Sequence, residues 1–243
     1  MILGLTGLGT VGGTLERWLT ENTKHTLLRY DPDKGHKDSL EGSEAIFVSV
    51  PAANISILEE AVKHAKKFSD TVFIRSTVLP GTNDRLGTIA MPEFLTERTA
   101  YEDFCKLPVV CGVGKGHETM QLLANVLPNK QKIFVSNTEA ELAKYAHNCF
   151  GAMKVTYFNM IHNLCEKLGA EYQSVLAAAS HTGFIESEHT QVPGHDGKFG
   201  YGGRCFPENV ETMYKFLYRN RFDEESKFFE AIKQLNAKYR GKV

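Results

Sequence analysis

A glycine-rich loop near the start of the chain restricts the fold more than any other sequence feature. Gly7, Gly9 and Gly12 form a GxGxxG pattern. The loop follows an apolar segment, residues 1–5, and precedes an amphipathic segment, residues 11–21. We predict a strand, a tight turn and a helix, the arrangement in which a helix N-terminus binds the pyrophosphate of a dinucleotide.

An acidic residue after the next predicted strand indicates which dinucleotide is bound. The strand covers residues 25–30, and Asp31 follows it about 20 residues after Gly12, where a ribose-binding carboxylate is expected. A carboxylate there disfavours the 2′-phosphate of NADP, so we predict NAD. The alternative is that Asp31 is an ordinary turn residue before Pro32. The predicted cofactor-binding residues in this part of the chain are Gly7, Gly9, Thr10, Val11, Gly12 and Asp31.

Short apolar runs alternate with amphipathic stretches through the first half of the chain, as in a mostly parallel sheet covered by helices. The segment between Asp31 and residue 45 is too short for a helix and a returning strand. We therefore predict an α/β fold, an abbreviated and doubly wound Rossmann domain over residues 1–137. Its other predicted elements are strands at residues 45–50, 71–75, 108–113 and 132–136 and a helix at residues 55–68.

From residue 138 onward the apolar residues follow a helical spacing. One long helix is predicted over residues 138–168, with Thr138 as its N-cap, Glu141 completing a capping box, and Gly169 ending it. Residues 138–243 are therefore expected to form a second, mainly α-helical domain. Its shorter helices are predicted at residues 172–180, 207–219 and 224–239.

Composition and charge argue against several classes of partner and of site. The 243 residues carry a net charge of -1, which gives no electrostatic reason to bind nucleic acid or an anionic membrane. The sequence has no apolar run of about 18 residues and no signal-like N-terminus. The 5 cysteines include no CxxC pair, so we expect a cytoplasmic protein without disulfides or a bound metal. Four of them are expected to be core residues: Cys105, Cys111, Cys149 and Cys165.

Three segments carry candidate catalytic side chains. Glu93 and Glu97 lie beside a predicted strand end. Lys144 and Asn148, four residues apart, project from one face of the long helix. Cys205 lies between a glycine-rich loop and a predicted helix start, a position that stabilises a thiolate. The structural alternatives are a surface acid at Glu97, a solvated helix face for the Lys144 pair and a small buried side chain at Cys205.

In five segments, which occur in the same order, the sequence resembles the UDP-glucose/GDP-mannose dehydrogenase family. The segments are the glycine loop at residues 7–12, STVLPGT at 76–82, PEFL at 92–95, Lys144 with Asn148, and FGYGGRCFP at 199–207. The resemblance implies an oxidoreductase similar to UDP-glucose 6-dehydrogenase. Such an enzyme oxidises the C6 alcohol of a nucleotide sugar to a carboxylate and uses two NAD.

The same resemblance implies a role for each matching side chain. Cys205 would capture the aldehyde as a thiohemiacetal, and a second oxidation would leave a thioester for water to hydrolyse. Lys144 and Asn148 would stabilise the oxyanions and handle the proton. Glu93 would position or activate water, and Thr77 would lie near the nicotinamide, as both a catalytic and a cofactor-binding residue.

Two departures from the family pattern concern the substrate and the base. The family motif ends in Lys-Asp, whereas this chain has Glu208 and Asn209, and an asparagine cannot accept a proton. The chain also ends soon after the cysteine motif. We therefore expect a shortened member that lacks the family's C-terminal nucleotide-sugar-binding domain, with Asn209 as a further candidate site residue.

The resemblance also implies a homodimer formed through the long helix, with a nucleotide sugar, in particular a UDP-sugar, as substrate. Two other functions remain open on the sequence. One is a two-electron dehydrogenase of a small hydroxy compound that uses Lys144 and Asn148 without Cys205. The other is a non-catalytic NAD-binding subunit that works only beside a partner.

Overall fold

The computed structural model describes residues 1–52, 54–114 and 116–241. The chain divides into two compact units, Met1–Lys144 and Tyr145–Val243. The division falls inside one long helix, whereas the sequence pattern puts the boundary ahead of it, at residue 137. Lys144 is therefore the last residue of the first unit, and Asn148 belongs to the second.

A six-stranded sheet organises the first unit. Its strand order is β3-β2-β1-β4-β5-β6, and every neighbouring pair is parallel except β2 with β3. The prediction of an α/β fold with a mostly parallel sheet is confirmed. The strands are β1 Ile2–Thr6, β2 Thr26–Asp31, β3 His36–Lys37, β4 Ala45–Val48, β5 Val72–Ile74 and β6 Ile89–Ala90.

Helices and buried apolar side chains cover both faces of this sheet. Alternate residues of β4 point to opposite faces: Phe47 joins one core cluster, and Ile46 and Val48 join another. The Phe47 ring stacks on Phe73 of β5 with centroids 4.8 Å apart. The helices of the first unit are α1 Thr10–Asn22, α2 Ile55–Ala65, α3 Thr82–Leu86, α4 Ala100–Lys106 and α5 His117–Val126. Two further strands, β7 Val109–Gly112 and β8 Lys132–Val135, form a separate parallel two-stranded sheet.

The abbreviation expected after Asp31 is present. Residues 32–44, all of them described, contain a 3-10 turn at Pro32–Lys34 and the short strand β3, without an α-helix. Gly35, with φ of 82°, ends the turn and lets the chain reverse into an antiparallel pairing of β3 with β2. A hairpin thus takes the place of a helical crossover at this edge of the sheet.

The second unit is helical. Helix α6 spans Asn137–Leu168 and continues from the first unit, and it ends before Gly169, whose φ is 68°. Helix α8 begins at Cys205, so the predicted start at residue 207 is wrong. The remaining helices are α7 Tyr172–Ser180 and α9 Asp223–Arg240. Within the described parts of the chain, no helix is both long and apolar enough to span a membrane.

The capping box of α6 differs from the predicted one. The Ser136 backbone N–H donates to Glu139 Oε2 at 2.7 Å, and the Glu139 N–H donates to Ser136 Oγ at 3.2 Å. The predicted pair of Thr138 and Glu141 is wrong, because Ser136 satisfies the same S-x-x-E spacing two residues earlier. Glu141 is thereby left to bind another part of the first unit.

Candidate active site

Most of the site residues predicted in the first unit lie at one edge of the sheet. Strands β1, β2, β4, β5 and β6 run in the same direction, so their carboxyl ends share that edge. The glycine loop follows β1, Asp31 ends β2, Thr77 follows β5, and Glu93 follows β6. This edge is where open parallel sheets bind their ligands.

The glycine loop makes a tight turn that packs closely against the start of α1. Gly7 has a φ of 81°, which disfavours any other residue. A Cβ at Gly12 would lie 1.9 Å from the Gly7 carbonyl oxygen, so the helix packs against the loop too closely for a side chain. A Cβ at Gly9 would meet nothing within 4 Å. Open space at Gly9, beside Thr10 and Val11 at the N-terminus of α1, fits a pyrophosphate group.

Asp31, the last residue of β2, contacts the glycine loop. Its Oδ2 accepts a hydrogen bond from the Leu8 backbone N–H at 2.7 Å, and Lys34 Nζ donates to the Leu8 carbonyl at 2.6 Å. Arg29, two residues before Asp31 in β2, donates its Nε–H to Glu16 Oε1 at 2.5 Å. The Arg29 guanidinium is therefore paired with Glu16 of α1, and the Asp31 carboxylate adjoins the glycine loop.

Glu93 and Lys144 form an ion pair in the first unit. Lys144 Nζ lies 3.6 Å from Glu93 Oε1, and the two side chains are 4% and 13% exposed. Glu93 Oε2 accepts from the Leu95 N–H at 2.6 Å, and the ammonium lies 5.2 Å from the centre of the Phe94 ring. The PEFL segment therefore fixes both groups, so that a buried cation and a carboxylate are available for proton transfer and oxyanion stabilisation.

Glu141, one helical turn before Lys144, was not predicted as a site residue. Its buried carboxylate accepts hydrogen bonds from the Gly81 N–H at 2.6 Å and from the Asn83 N–H at 2.8 Å. These groups begin α3, immediately after the segment that contains Thr77. Glu141 thus fixes the position of that segment against α6, a contact that helical spacing alone does not reveal.

The second unit brings Asn148 and Asn209 together. Asn148 Nδ2 donates to Asn209 Oδ1 at 2.5 Å, and both residues are buried. The His147 ring nitrogen Nδ1 lies 3.0 Å from Asn148 Oδ1. Asn209 thereby holds the Asn148 amide in one orientation. Cys205, exposed and one helical turn before Asn209, is the first residue of α8.

The start of α8 is anchored on α6 by Phe206. A Cβ at Gly151, in the middle of α6, would lie 2.5 Å from the Phe206 ring, so only glycine accommodates this contact. The packing explains why a long helix contains a glycine despite a cost of about 1 kcal/mol. It also fixes the backbone of Cys205, the residue before Phe206.

Two buried asparagines hold the glycine-rich loop before Cys205. The Gly200 N–H donates to Asn159 Oδ1 at 2.9 Å, and the Tyr201 N–H donates to Asn236 Oδ1 at 2.7 Å. Asn236 Nδ2 returns a hydrogen bond to the Tyr201 carbonyl at 3.1 Å. Sequence reasoning missed Asn159 and Asn236, which lie in α6 and α9 with no motif around them.

The cysteines fall into two groups. Burial raises the pKa of the Cys111 and Cys149 thiols to about 12, which makes them inert at neutral pH. Cys165 is also buried, whereas Cys105 and Cys205 are exposed. The expectation that Cys105 is a core residue is wrong, because α4 turns this side of the helix outward. Cys205 combines exposure with a helix start and a fixed backbone.

Comparisons with known proteins agree with these features. The central-domain model of the UDP-glucose/GDP-mannose dehydrogenase family matches residues 138–238. A UDP-glucose 6-dehydrogenase of Rhizobium meliloti is 32% identical over 233 residues, which cover 83% of this chain and 52% of that protein. The chain spans about half the length of the curated relatives it matches.

Solved structures show the same fold. A UDP-glucose dehydrogenase from Pyrobaculum islandicum matches with a TM-score of 0.81 and 22% identity, over 97% of this chain and 68% of that one. A Mycobacterium tuberculosis 3-hydroxyisobutyrate dehydrogenase matches with a TM-score of 0.74 and 14% identity, over 98% of this chain and 94% of that one.

Proposed function

Because the chain belongs to the UDP-glucose/GDP-mannose dehydrogenase family, we propose that it oxidises the primary alcohol of a nucleotide sugar to a carboxylate with NAD. The proposed nucleophile is Cys205. The observation that carries this proposal is the position of Cys205, an exposed thiol at the first residue of a helix whose start is anchored by Phe206 and Asn209. UDP-glucose is the first substrate to test, as the relatives' names suggest.

NAD would be held by the first unit. The open space at Gly9 and the backbone N–H groups that begin α1 would receive the pyrophosphate, and Asp31 would bind the adenosine ribose. Thr77, at the same edge of the sheet, is the proposed neighbour of the nicotinamide. When NAD is bound, it supplies the hydride acceptor for each oxidation.

Replacing Asp31 with alanine is expected to raise the Kd for NAD by about 10- to 100-fold, because a charged acceptor for the ribose hydroxyls is lost. The preference for NAD over NADP should shrink as well, since the repulsion of a 2′-phosphate is removed. Calorimetric titration with each cofactor measures both effects. Asp33→Ala, two residues away and exposed, is the matched control. Equal Kd values for the two variants would contradict the assignment of Asp31.

The proposed reaction has two oxidations joined by a covalent intermediate. The C6 carbon loses a hydride and its hydroxyl loses a proton, which gives an aldehyde. The Cys205 sulfur adds to that carbon as a thiohemiacetal, which loses a second hydride and a proton to become a thioester. Water attacks the thioester, the C–S bond breaks, and the carboxylate and the thiol are released.

The side chains beside these steps supply charge and proton transfer. Lys144 would stabilise the oxygen that loses its proton, and Asn148, oriented by Asn209, would donate its amide to the oxyanion. Glu93 would accept the proton of the attacking water. Since Asn209 replaces an acidic residue of the family motif, Glu93 is the carboxylate left for this task among the proposed catalytic residues.

The decisive experiment measures NADH formation by the purified protein with NAD and UDP-glucose, other nucleotide sugars, or small β-hydroxy acids. We expect two NADH for each nucleotide sugar consumed. One NADH per β-hydroxy acid, with no reaction of nucleotide sugars, would favour the two-electron dehydrogenase. NAD binding without any turnover would favour a subunit that needs a partner.

A homodimer through α6 is the proposed assembly. One stripe of this helix exposes large apolar side chains that a second copy would bury. The stripe consists of Phe150, Tyr157, Met160, Leu164 and Leu168, all at least 38% exposed.

Leu164→Lys is expected to raise the dimer dissociation constant at least about 100-fold, because it places a charge in an apolar interface. Sedimentation velocity over a range of concentrations measures the change. Ile133→Lys is the matched control, since Ile133 on β8 is 44% exposed and Leu164 is 46% exposed. A wild-type protein that stays monomeric at high concentration would refute the dimer.

A further inference from the structure

Arg75 is a buried cation that the proposed mechanism does not use. It directly follows β5, and only 2% of it is exposed. Its guanidinium Nη1 donates to the Val11 carbonyl at 3.0 Å, while the Nε–H, also buried, finds no acceptor among the described residues. Burying a charged donor without a partner is costly, so such a group in a folded protein calls for a physical explanation.

A small cavity lies beside Arg75. Its volume is about 20 Å³, and both Arg75 and Glu93 contribute to its wall. The rest of the wall is largely apolar, with Met91 and Phe104 among the lining residues. A cavity of this volume with polar residues in its wall is large enough for a single water molecule.

An electrostatic interaction links Arg75 and Glu93, the two charged residues of the cavity wall. Burial lowers the pKa of Arg75 to about 10, and the negative charge of Glu93 opposes this effect, so Arg75 is a cation at neutral pH. Glu93 therefore interacts with two cations, Arg75 and Lys144, while its Oε2 is held by the Leu95 N–H. One carboxylate compensates both buried cations.

We infer that the cavity holds one water molecule, which accepts a hydrogen bond from Arg75 Nε–H and donates one to the Glu93 carboxylate. Arg75 is then a positioning residue that acts on Lys144 through Glu93. Its bond to the Val11 carbonyl ties the same guanidinium to the start of α1. The consequence for turnover rests on the proposed function, whereas the water link itself does not.

Nuclear magnetic resonance of the 15N-labelled protein tests the water link without any turnover. The Arg75 Nε–H signal is assigned by its absence in Arg75→Lys. We expect this proton to exchange slowly and to show cross-relaxation with a bound water, and we expect its chemical shift to move in Glu93→Gln. Glu97→Gln, an exposed acid in the same loop, is the matched control and should leave the signal in place.

Kinetics tests the positioning role. Arg75→Met should lower kcat by about 10- to 100-fold with little change in either KM, because Arg75 is buried and its side chain is not exposed to a bound substrate. Arg75→Lys, which keeps the charge, should restore most of the rate. In a Glu93→Gln background Arg75→Met should cause no further loss, since both changes remove one linked unit.

The outcomes of the two experiments are distinguishable. A water signal that responds to Glu93→Gln in a protein without dehydrogenase activity would support the link and refute the proposed function. A missing water signal, or an Arg75→Met loss of equal size in the Glu93→Gln background, would overturn the inference while the proposed function stands. Normal NAD affinity of each variant shows that the first unit is folded.

Discussion

Replacing Cys205 with serine is expected to lower the rate of carboxylate formation at least about a thousand-fold, because the covalent intermediate cannot form. A hydroxyl at this position is a far weaker nucleophile than a thiol at neutral pH. The first oxidation does not require the thiol, so slow release of an aldehyde with one NADH per sugar is the expected residual reaction. Separate quantification of NADH, aldehyde and carboxylate distinguishes the two products.

Cys105→Ser is the matched control for this experiment, because Cys105 is the other exposed cysteine. It should leave carboxylate formation unchanged. The covalent route would be refuted if Cys205→Ser still gave two NADH per sugar at the wild-type rate. In that case Lys144 and Asn148 would have to support a dehydrogenase that does not use the thiol.

The parts of the fold that the sequence predicts are those with a strong local pattern. The glycine loop, the strands β1, β2, β4, β5, β7 and β8 and the long helix are recognisable, because each combines an apolar pattern with a nearby turn residue. The short elements were missed: β3, β6, α3, α4 and α5. These five segments show too little apolar periodicity to stand out, and tertiary packing decides their conformation.

Competing signals explain the errors at helix starts. Thr138 with Glu141 and Ser136 with Glu139 both satisfy the capping-box spacing, and only hydrogen bonds in the folded chain select the second pair. At α8 the helix begins at Cys205, before the proline that the sequence suggests as its start. A proline within the first turn is compatible with either start, because its missing N–H is not needed there.

Among the site residues too, those that belong to a motif were predicted, and those held only by tertiary contacts were missed. Glu93, Lys144, Asn148 and Cys205 belong to motifs or to a helix-face spacing, so sequence alone proposes them. Arg75 belongs to no such pattern, because its contacts are made in the folded chain, with the Val11 carbonyl of α1 and the Phe104 ring of α4. A charged residue at the end of a buried strand is the signal that was available, because arginine is rarely fully buried without a partner.

Replacing Lys144 with methionine should lower kcat by about a thousand-fold, because oxyanion stabilisation by a desolvated cation is lost. The free energy of unfolding should also fall, by about 2 kcal/mol, since the Glu93 carboxylate loses its ion-pair partner in a mostly buried position. That cost lies below the usual range for a broken buried pair because Arg75 still compensates Glu93. Urea denaturation and initial-rate kinetics measure the two effects.

The double variant Lys144→Met with Glu93→Gln separates chemistry from folding. It removes both charges of the pair, so part of the lost free energy of unfolding should return, whereas turnover stays low. The recovery should be incomplete, because buried Arg75 then loses the carboxylate that compensates its charge. Arg85→Met provides the matched control, because Arg85 forms an exposed ion pair with Glu59 at 2.8 Å and should change stability by less than about 1 kcal/mol. Turnover in the double variant equal to that of Glu93→Gln alone would mean that Lys144 only supports the fold.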